Sequence, residues 1–280
     1  MNIARFSRNA LERLARGRVL KRYISSEYGK LPIYVSPDAQ LKYLKLGSNA
    51  FDADLVKIAD HFINKDHVVW DVGANVGVFS FTCAYRGAAT IIAIEADSWL
   101  CSLLRRTSAF KEYQDRDIRV LSLAVANQNG ISEFIIAQRG RASNALASAA
   151  GRSQMGGARE HSHVPTLTLD TIAETQPKPD FIKIDVEGAE LAVFEGAENL
   201  MSVHHPTFYA EIGQSLFSAC ADLVRKKGYT IFGPDGQPTE QPDRANYFLV
   251  HKTKDHMLQA VQKFAHESGS SAPSGSKSIF

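Results

Sequence analysis

Two glycines and four acidic residues are the groups in this chain whose types and spacing could do chemistry. Asp71 lies in the apolar run Val68–Val72, and Gly73-Ala74-Asn75-Val76-Gly77 follows at once. A small, sharply turning loop after a strand lets a ligand approach backbone N–H groups at a helix amino end. Glu95 closes a second apolar run, Thr90–Glu95, at the spacing (about 20 residues on) where α/β domains put a ribose-binding acid. A carboxylate there can accept hydrogen bonds from the vicinal 2′- and 3′-hydroxyls together. The loop is Gly-x-x-x-Gly and lacks the extra glycine that admits a pyrophosphate, so a nucleoside ligand without one is expected. Asp185 and Glu187 close a third run, Phe181-Ile-Lys-Ile-Asp-Val-Glu187, before Gly188. Either could serve as a general base, worth about 10²–10⁴-fold when well placed. Equally, Asp185 could hold a ligand's ammonium and Glu187 could cap the following helix.

Positioning these groups takes alternating strands and helices. Val68–Val72, Thr90–Glu95 and a run from Phe181 that ends in Asp185 and Glu187 read as buried strands, each followed by a helical pattern. Asp97-Ser98 can cap a helix whose Leu100, Leu103, Leu104 and Thr107 share one face. Ile118–Ala124 reads as a further strand and Ile131–Ala137 as an added one. A helix over Ala189–Met201, a strand over Thr207–Ile212 and another helix before Gly228 come next. Tyr229–Phe232 and Asn246–His251 then form a closing β-pair. Before the core, Asp54–Phe62 reads as a helix and Leu31–Pro37 as a short strand with turns. The order predicts a mostly parallel α/β sheet with helices on both faces. Gln138–Val164 lacks apolar periodicity and exceeds ordinary connections of about 4–6 residues, so it reads as a lid.

Asp71-Val-Gly-Ala-Asn-Val-Gly77, Glu95, Thr168-Leu-Asp170, Phe181-Ile-Lys-Ile-Asp-Val-Glu-Gly188 and Pro206–Ile212 occur in an order that resembles the FkbM-type S-adenosylmethionine-dependent methyltransferases. The resemblance spans roughly Phe51 to Lys252 and departs at Glu95-Ala96, where the family often has Glu-Pro. It implies a class I methyltransferase fold, Rossmann-like, with seven strands in the order 3-2-1-4-5-7-6. It also implies S-adenosyl-L-methionine as cofactor. Gly73, Ala74, Asn75, Val76 and Gly77 would cradle its methionine half and Asp71 would orient its ammonium. Glu95 would hold the ribose, and Ala124 and Val125 would lie near the adenine. Asp185 and Glu187 would face the acceptor, and Asp185, on a rigid strand end, is expected to matter more to the chemical step. The implied reaction is O-methylation of a hydroxyl on a sugar, glycoconjugate or secondary metabolite. N-methylation on the same fold, an NAD-dependent oxidoreductase and a cofactor-dead interaction module are the alternatives.

A chain of 280 residues with a formal charge of +2 suits one large α/β domain and gives no electrostatic reason to bind nucleic acid. We expect a basic extension over residues 1–50, a methyltransferase domain over 51–266 and a disordered tail over 267–280. No apolar run approaches membrane-spanning length. The basic segment from Arg5 to Arg22, with Ile3, Phe6, Ala10 and Leu14 on one helical face, could touch an anionic membrane peripherally. Packing on the domain or on a second copy in a homo-oligomer suits it better. Cys83, Cys101 and Cys220 lack metal-ligand spacing, read as core fillers and suit a reducing cytoplasm. No metal is expected: His161, His163, His204 and His205 lack clear partners for zinc. A Mg²⁺ ion on Asp185, Glu187 and Glu211 is conceivable but competes with structural roles. Ser143 and Asn144 could hydrogen-bond a polyol.

Overall fold

The computed structural model describes residues 12–26, 29–45, 50–149, 155–242 and 246–270. Its centre is a seven-stranded sheet. In chain order the core strands are β3 (Val68–Val72), β4 (Thr90–Glu95), β5 (Asp117–Ser122), β10 (Phe181–Ile184), β11 (Thr207–Glu211), β12 (Tyr229–Phe232) and β13 (Asn246–His251). They lie side by side as β12-β13-β11-β10-β3-β4-β5, the expected 3-2-1-4-5-7-6 read from the other edge. Only β13 runs antiparallel to its neighbours.

Side chains alternate across the pleat, so each strand feeds two cores. Val69, Ile91 and Phe181 pack on one face. Covering that face are α1 (Ala53–Phe62), α2 (Val78–Arg86), α3 (Ser98–Ser108) and α8 (Asp255–Ser270). Trp70, Ile92, Ile94 and Ile182 pack on the other face. There they meet α4 (Leu169–Thr175), α5 (Glu190–Glu195), α6 (Glu198–Val203) and α7 (Phe217–Lys226). All three cysteines are buried and free within α2, α3 and α7.

Several elements depart from the sequence expectation. Ahead of the core stands an antiparallel hairpin, β1 (Leu20–Ser26) and β2 (Gly29–Val35). Its Ile24, Leu31, Ile33 and Val35 join the α1–α2 core. Ile3, Phe6 and Ala10 lie outside the described residues, and Leu14 is 64% exposed. The expected helix over Ala189–Met201 divides into α5 and α6 at Gly196. A Cβ there would come within 2.3 Å of the Ala126 carbonyl. Helix α8 continues to Ser270, past the expected start of the tail at Glu267; residues 271–280 lie outside the described residues.

The expected lid contains β-structure at both its middle and its end. Strand β9 (Ala158–Leu167) pairs antiparallel with β7 (Gly130–Ala137), and β6 (Ala124–Val125) and β8 (Ala145–Leu146) complete a four-stranded sheet. Through Arg159–His163, β9 buries no side chain, so no alternation marks it in the sequence. Backbone pairing with β7 holds it instead. Residues 150–154 of the expected lid lie outside the described residues.

Candidate active site

At the carboxyl ends of β3, β4 and β10 a cleft of about 590 Å³ opens to solvent. This is the crevice where open α/β sheets take ligands. Gly73, Asn75, Glu95, Ala124, Val125, Asp185 and Glu187 line it, joined by Phe134, Arg141, Asn144 and Leu146 from the small sheet and its connection. Asp71, Ala74, Val76 and Gly77 do not reach the lining. Ala74 and Val76 point into the core. Gly77 caps α2 at φ +90°, where a Cβ would meet Leu104 and Phe81 at 2.6 Å.

Asp71 stands behind the cleft wall rather than on it. It is fully buried, and its Oδ2 accepts from Ser80 N–H at 3.2 Å and Ser80 Oγ–H at 2.6 Å. Its Oδ1 lies 3.2 Å from Lys183 Nζ. Lys183 and Asp71 face each other across the β3–β10 ladder. Both fall between residues of the opposite core, so the pleat sends both side chains to the α2 face. Lys183 Nζ also donates to the Gly73 carbonyl at 2.8 Å and stands 3.5 Å from Asp185 Oδ2. Burial works against its charge, but Asp71 and Asp185 outweigh that and hold its pKa above the ordinary value. One buried cation thus ties the ends of two strands to the glycine loop.

Glu95 forms the second tier. Its carboxylate is 8% exposed and accepts from the backbone N–H groups of Asn75 and Asp97, each at 2.8 Å. Burial pushes its pKa up to about 7; the nearby Asp97 carboxylate adds to this, and the two N–H donors oppose it. Asp97 caps α3 through Trp99 N–H and Leu100 N–H. Its other oxygen accepts from Arg141 and from Asn144 Nδ2 at 2.9 Å. Arg141 lies over the Trp99 ring, 4.8 Å from its centroid, and its Nε reaches Asp38 at 3.0 Å. Arg159 holds Asp38 from another side at 2.7 Å. Burial alone would raise the Asp38 pKa, yet the two guanidiniums lower it. A polar chain therefore runs from the strand-end glutamate, through the segment after β7, to the turn after the hairpin.

A buried carboxylate in the cleft wall, Glu95, suits the vicinal hydroxyls of the ribose of S-adenosylmethionine. Gly73 sits at φ +75°, and a Cβ there would fall 1.8 Å from the Asp185 carbonyl oxygen. The neighbouring strand end by itself thus demands a residue without a side chain here. Glu187 is a non-glycine residue at φ +53°. Among the described residues no group of three His, Cys, Asp or Glu is placed to hold a metal ion. His161 pairs with Glu133 at 2.6 Å on the surface, and His205 stacks on His251 at 3.8 Å.

Residues 71–231, more than half of the chain, match the model of the Methyltransferase FkbM domain. The chain belongs to this family. Its cofactor is S-adenosylmethionine. It is similar to the hexuronic acid methyltransferase AglP of Haloferax volcanii, at 23% identity over 157 residues, 54% of this chain and 58% of that protein. The match thus spans little more than half of that curated relative's length. Among solved structures it is similar to the methyltransferase FkbM of Methylobacillus flagellatus KT. The identity is 18%, the coverage 68% of this chain and 44% of that one, and the TM-score 0.42. The precorrin-6y C5,15-methyltransferase of Geobacter metallireducens GS-15 shares 10% identity, with coverage of 70% and 85% and a TM-score of 0.40.

Sequence reasoning missed Lys183, Arg141 and Asp97 in this FkbM domain. Lys183 left a readable sign, a lysine inside a strand otherwise apolar on both sides, where lysine is almost never found unpaired. Arg141 left none, because its partners come from distant parts of the chain.

Proposed function

We propose that this FkbM-domain protein methylates a hydroxyl of a sugar or glycoconjugate. The observation that carries the reading is one cleft lined by the ribose-type acid Glu95, the glycine loop and the two carboxylates Asp185 and Glu187. The hexuronic acid activity in the name of AglP supports a sugar acceptor. When bound, S-adenosylmethionine supplies an already activated methyl group, so the protein's part is geometry, proton removal and exclusion of water. Glu95 and the Asn75 backbone would hold the ribose end, and Ala124, Val125 and Leu146 would offer an apolar wall to the adenine. Asp185 is the better ammonium anchor, since it lines the cofactor cleft directly beside Gly73 of the glycine loop. Glu187 is then the better candidate to take the acceptor's proton, which reverses the order the sequence suggests. The three buried cysteines suit a reducing cytoplasm, the compartment we propose.

Calorimetry with S-adenosylhomocysteine and NAD, followed by transfer of labelled methyl to glycan extracts, tests the reading. Binding of the first, none of the second and label in the glycan fraction are expected. NAD binding, or label confined to amines, would refute it. Glu187→Gln should lower kcat by about 10²–10⁴-fold with cofactor affinity retained, whereas Asp185→Asn should mainly weaken the cofactor. The reverse pattern would restore Asp185 as the base.

A further inference from the structure

Beyond the cofactor cleft lies a second, larger groove of about 1030 Å³, open along one side. One wall is the turn after the hairpin, with Gln40 and Lys42; the other is the segment after β7, with Arg139 and Ser143. Ala142 and Glu187 line both this groove and the cofactor cleft, whereas Glu95 and Asp185 line only the cleft. The two spaces therefore adjoin at Ala142 and Glu187, away from the ribose acid. We propose that this groove is the acceptor site, that it takes a polyhydroxylated sugar, and that Glu187 meets the sugar's reacting hydroxyl where the groove enters the cleft. The assignment rests on the methyl-transfer reading.

The groove is built rather than incidental. Arg141 N–H donates to the Asp38 carbonyl at 2.9 Å, Ala142 N–H to the Ala39 carbonyl at 3.3 Å, and the Arg141 guanidinium clamps the Asp38 carboxylate. At Gly140 the walls come so close that a Cβ would lie 2.9 Å from the Ala39 carbonyl oxygen. These ties leave the walls little freedom to move when an acceptor binds, so little ordering cost is paid on binding. Glu187 occupies the left-handed region, a strained conformation for a non-glycine residue and one that clusters at functional sites.

The lining chemistry selects the ligand class. Two acids, Glu12 and Glu187, two cations, Lys42 and Arg139, and the neutral Gln40 and Ser143 surround the space. Sugar hydroxyls donate and accept at once, so a mixed lining satisfies them in pairs. A polyphosphate backbone would meet two carboxylates and gain little from a wall with no net charge.

Labelled S-adenosylmethionine is offered with the methyl glycosides of glucose, galactose, mannose and glucuronic acid. Transfer is measured for the unaltered protein, Ser143→Trp and Gln40→Ala, and binding of S-adenosylhomocysteine is measured for each by calorimetry. We expect label on at least one glycoside, with an acceptor KM raised about tenfold or more in Ser143→Trp and less in Gln40→Ala, at unchanged homocysteine-nucleoside affinity. Retained affinity also establishes that the variants are folded. An unchanged acceptor KM in both variants would overturn the groove. Binding without transfer to any glycoside would overturn the sugar class. If the unaltered protein fails to bind S-adenosylhomocysteine, the methyl-transfer reading itself falls, and that result is distinct from the other two.

Discussion

Glu95 should give the protein two opposite pH dependences over one window. Its pKa stands at about 7, against an ordinary value of 4.5, chiefly because burial penalises the charged carboxylate. With the folded value raised, an unfolded chain gives up this proton first as pH climbs. Stability of the ligand-free protein from this group is therefore complete below pH ~4.5 and lost by pH ~7, by about 3 kcal/mol at most. Nucleoside binding should move the other way, because only the ionised carboxylate accepts from two ribose hydroxyls while still holding Asn75 and Asp97 N–H. With a pKa near 7, the ionised fraction falls about tenfold between pH 8 and pH 6, and affinity should fall with it. 5′-Methylthioadenosine is a suitable probe, since it keeps the ribose and lacks the aliphatic α-amino group that would titrate near this range. Calorimetric Kd values and thermal midpoints between pH 5 and 8.5 test both halves. In Glu95→Gln both dependences should flatten, with affinity at pH 8 lower by about 1.5–3 kcal/mol. An unaltered protein with pH-independent affinity, or a Glu95→Gln variant with the same slope, would refute the argument.

Lys183→Met should destabilise the fold by about 3–5 kcal/mol, because Asp71 would be left buried without its cation. Calorimetric unfolding should show recovery of much of this loss in Lys183→Met/Asp71→Asn, and absence of rescue would mean the pair is not the reason. Gly73→Ala should shift the Asp185 backbone as well as weaken the cofactor, since the new Cβ meets the Asp185 carbonyl; a variant with unchanged midpoint and unchanged S-adenosylhomocysteine Kd would contradict the contact. Arg141→Ala removes the link between Asp38 and Asp97 and should cost about 2–4 kcal/mol by denaturant titration. Cofactor affinity should drop in the same variant, because Asp97 N–H orients Glu95.

What the chain discloses without its fold is what short-range chemistry dictates. Val68 to Gly77 reads as a strand breaking into a helix because a short apolar, β-branched run stops at glycine, and the structure has β3 and α2 there. Asp97 reads as a cap because a short acid can bond the next N–H groups, and it does. Seven strands, two helical layers and the crevice at Glu95 and Asp185 follow from such local patterns together with the family resemblance. Tertiary structure alone decided the rest. Register put Lys183 opposite Asp71, although 111 residues intervene between them. The same freedom of pairing let β9 form against β7 with almost no buried side chains to announce it. The Asp38–Arg141–Asp97 chain and the groove at Glu187 need the hairpin turn, the β4 end and the segment after β7 to meet. A charge and its partner leave no mark on the residues between them, because their attraction acts through space, and only the folded backbone determines which distant charges come within reach.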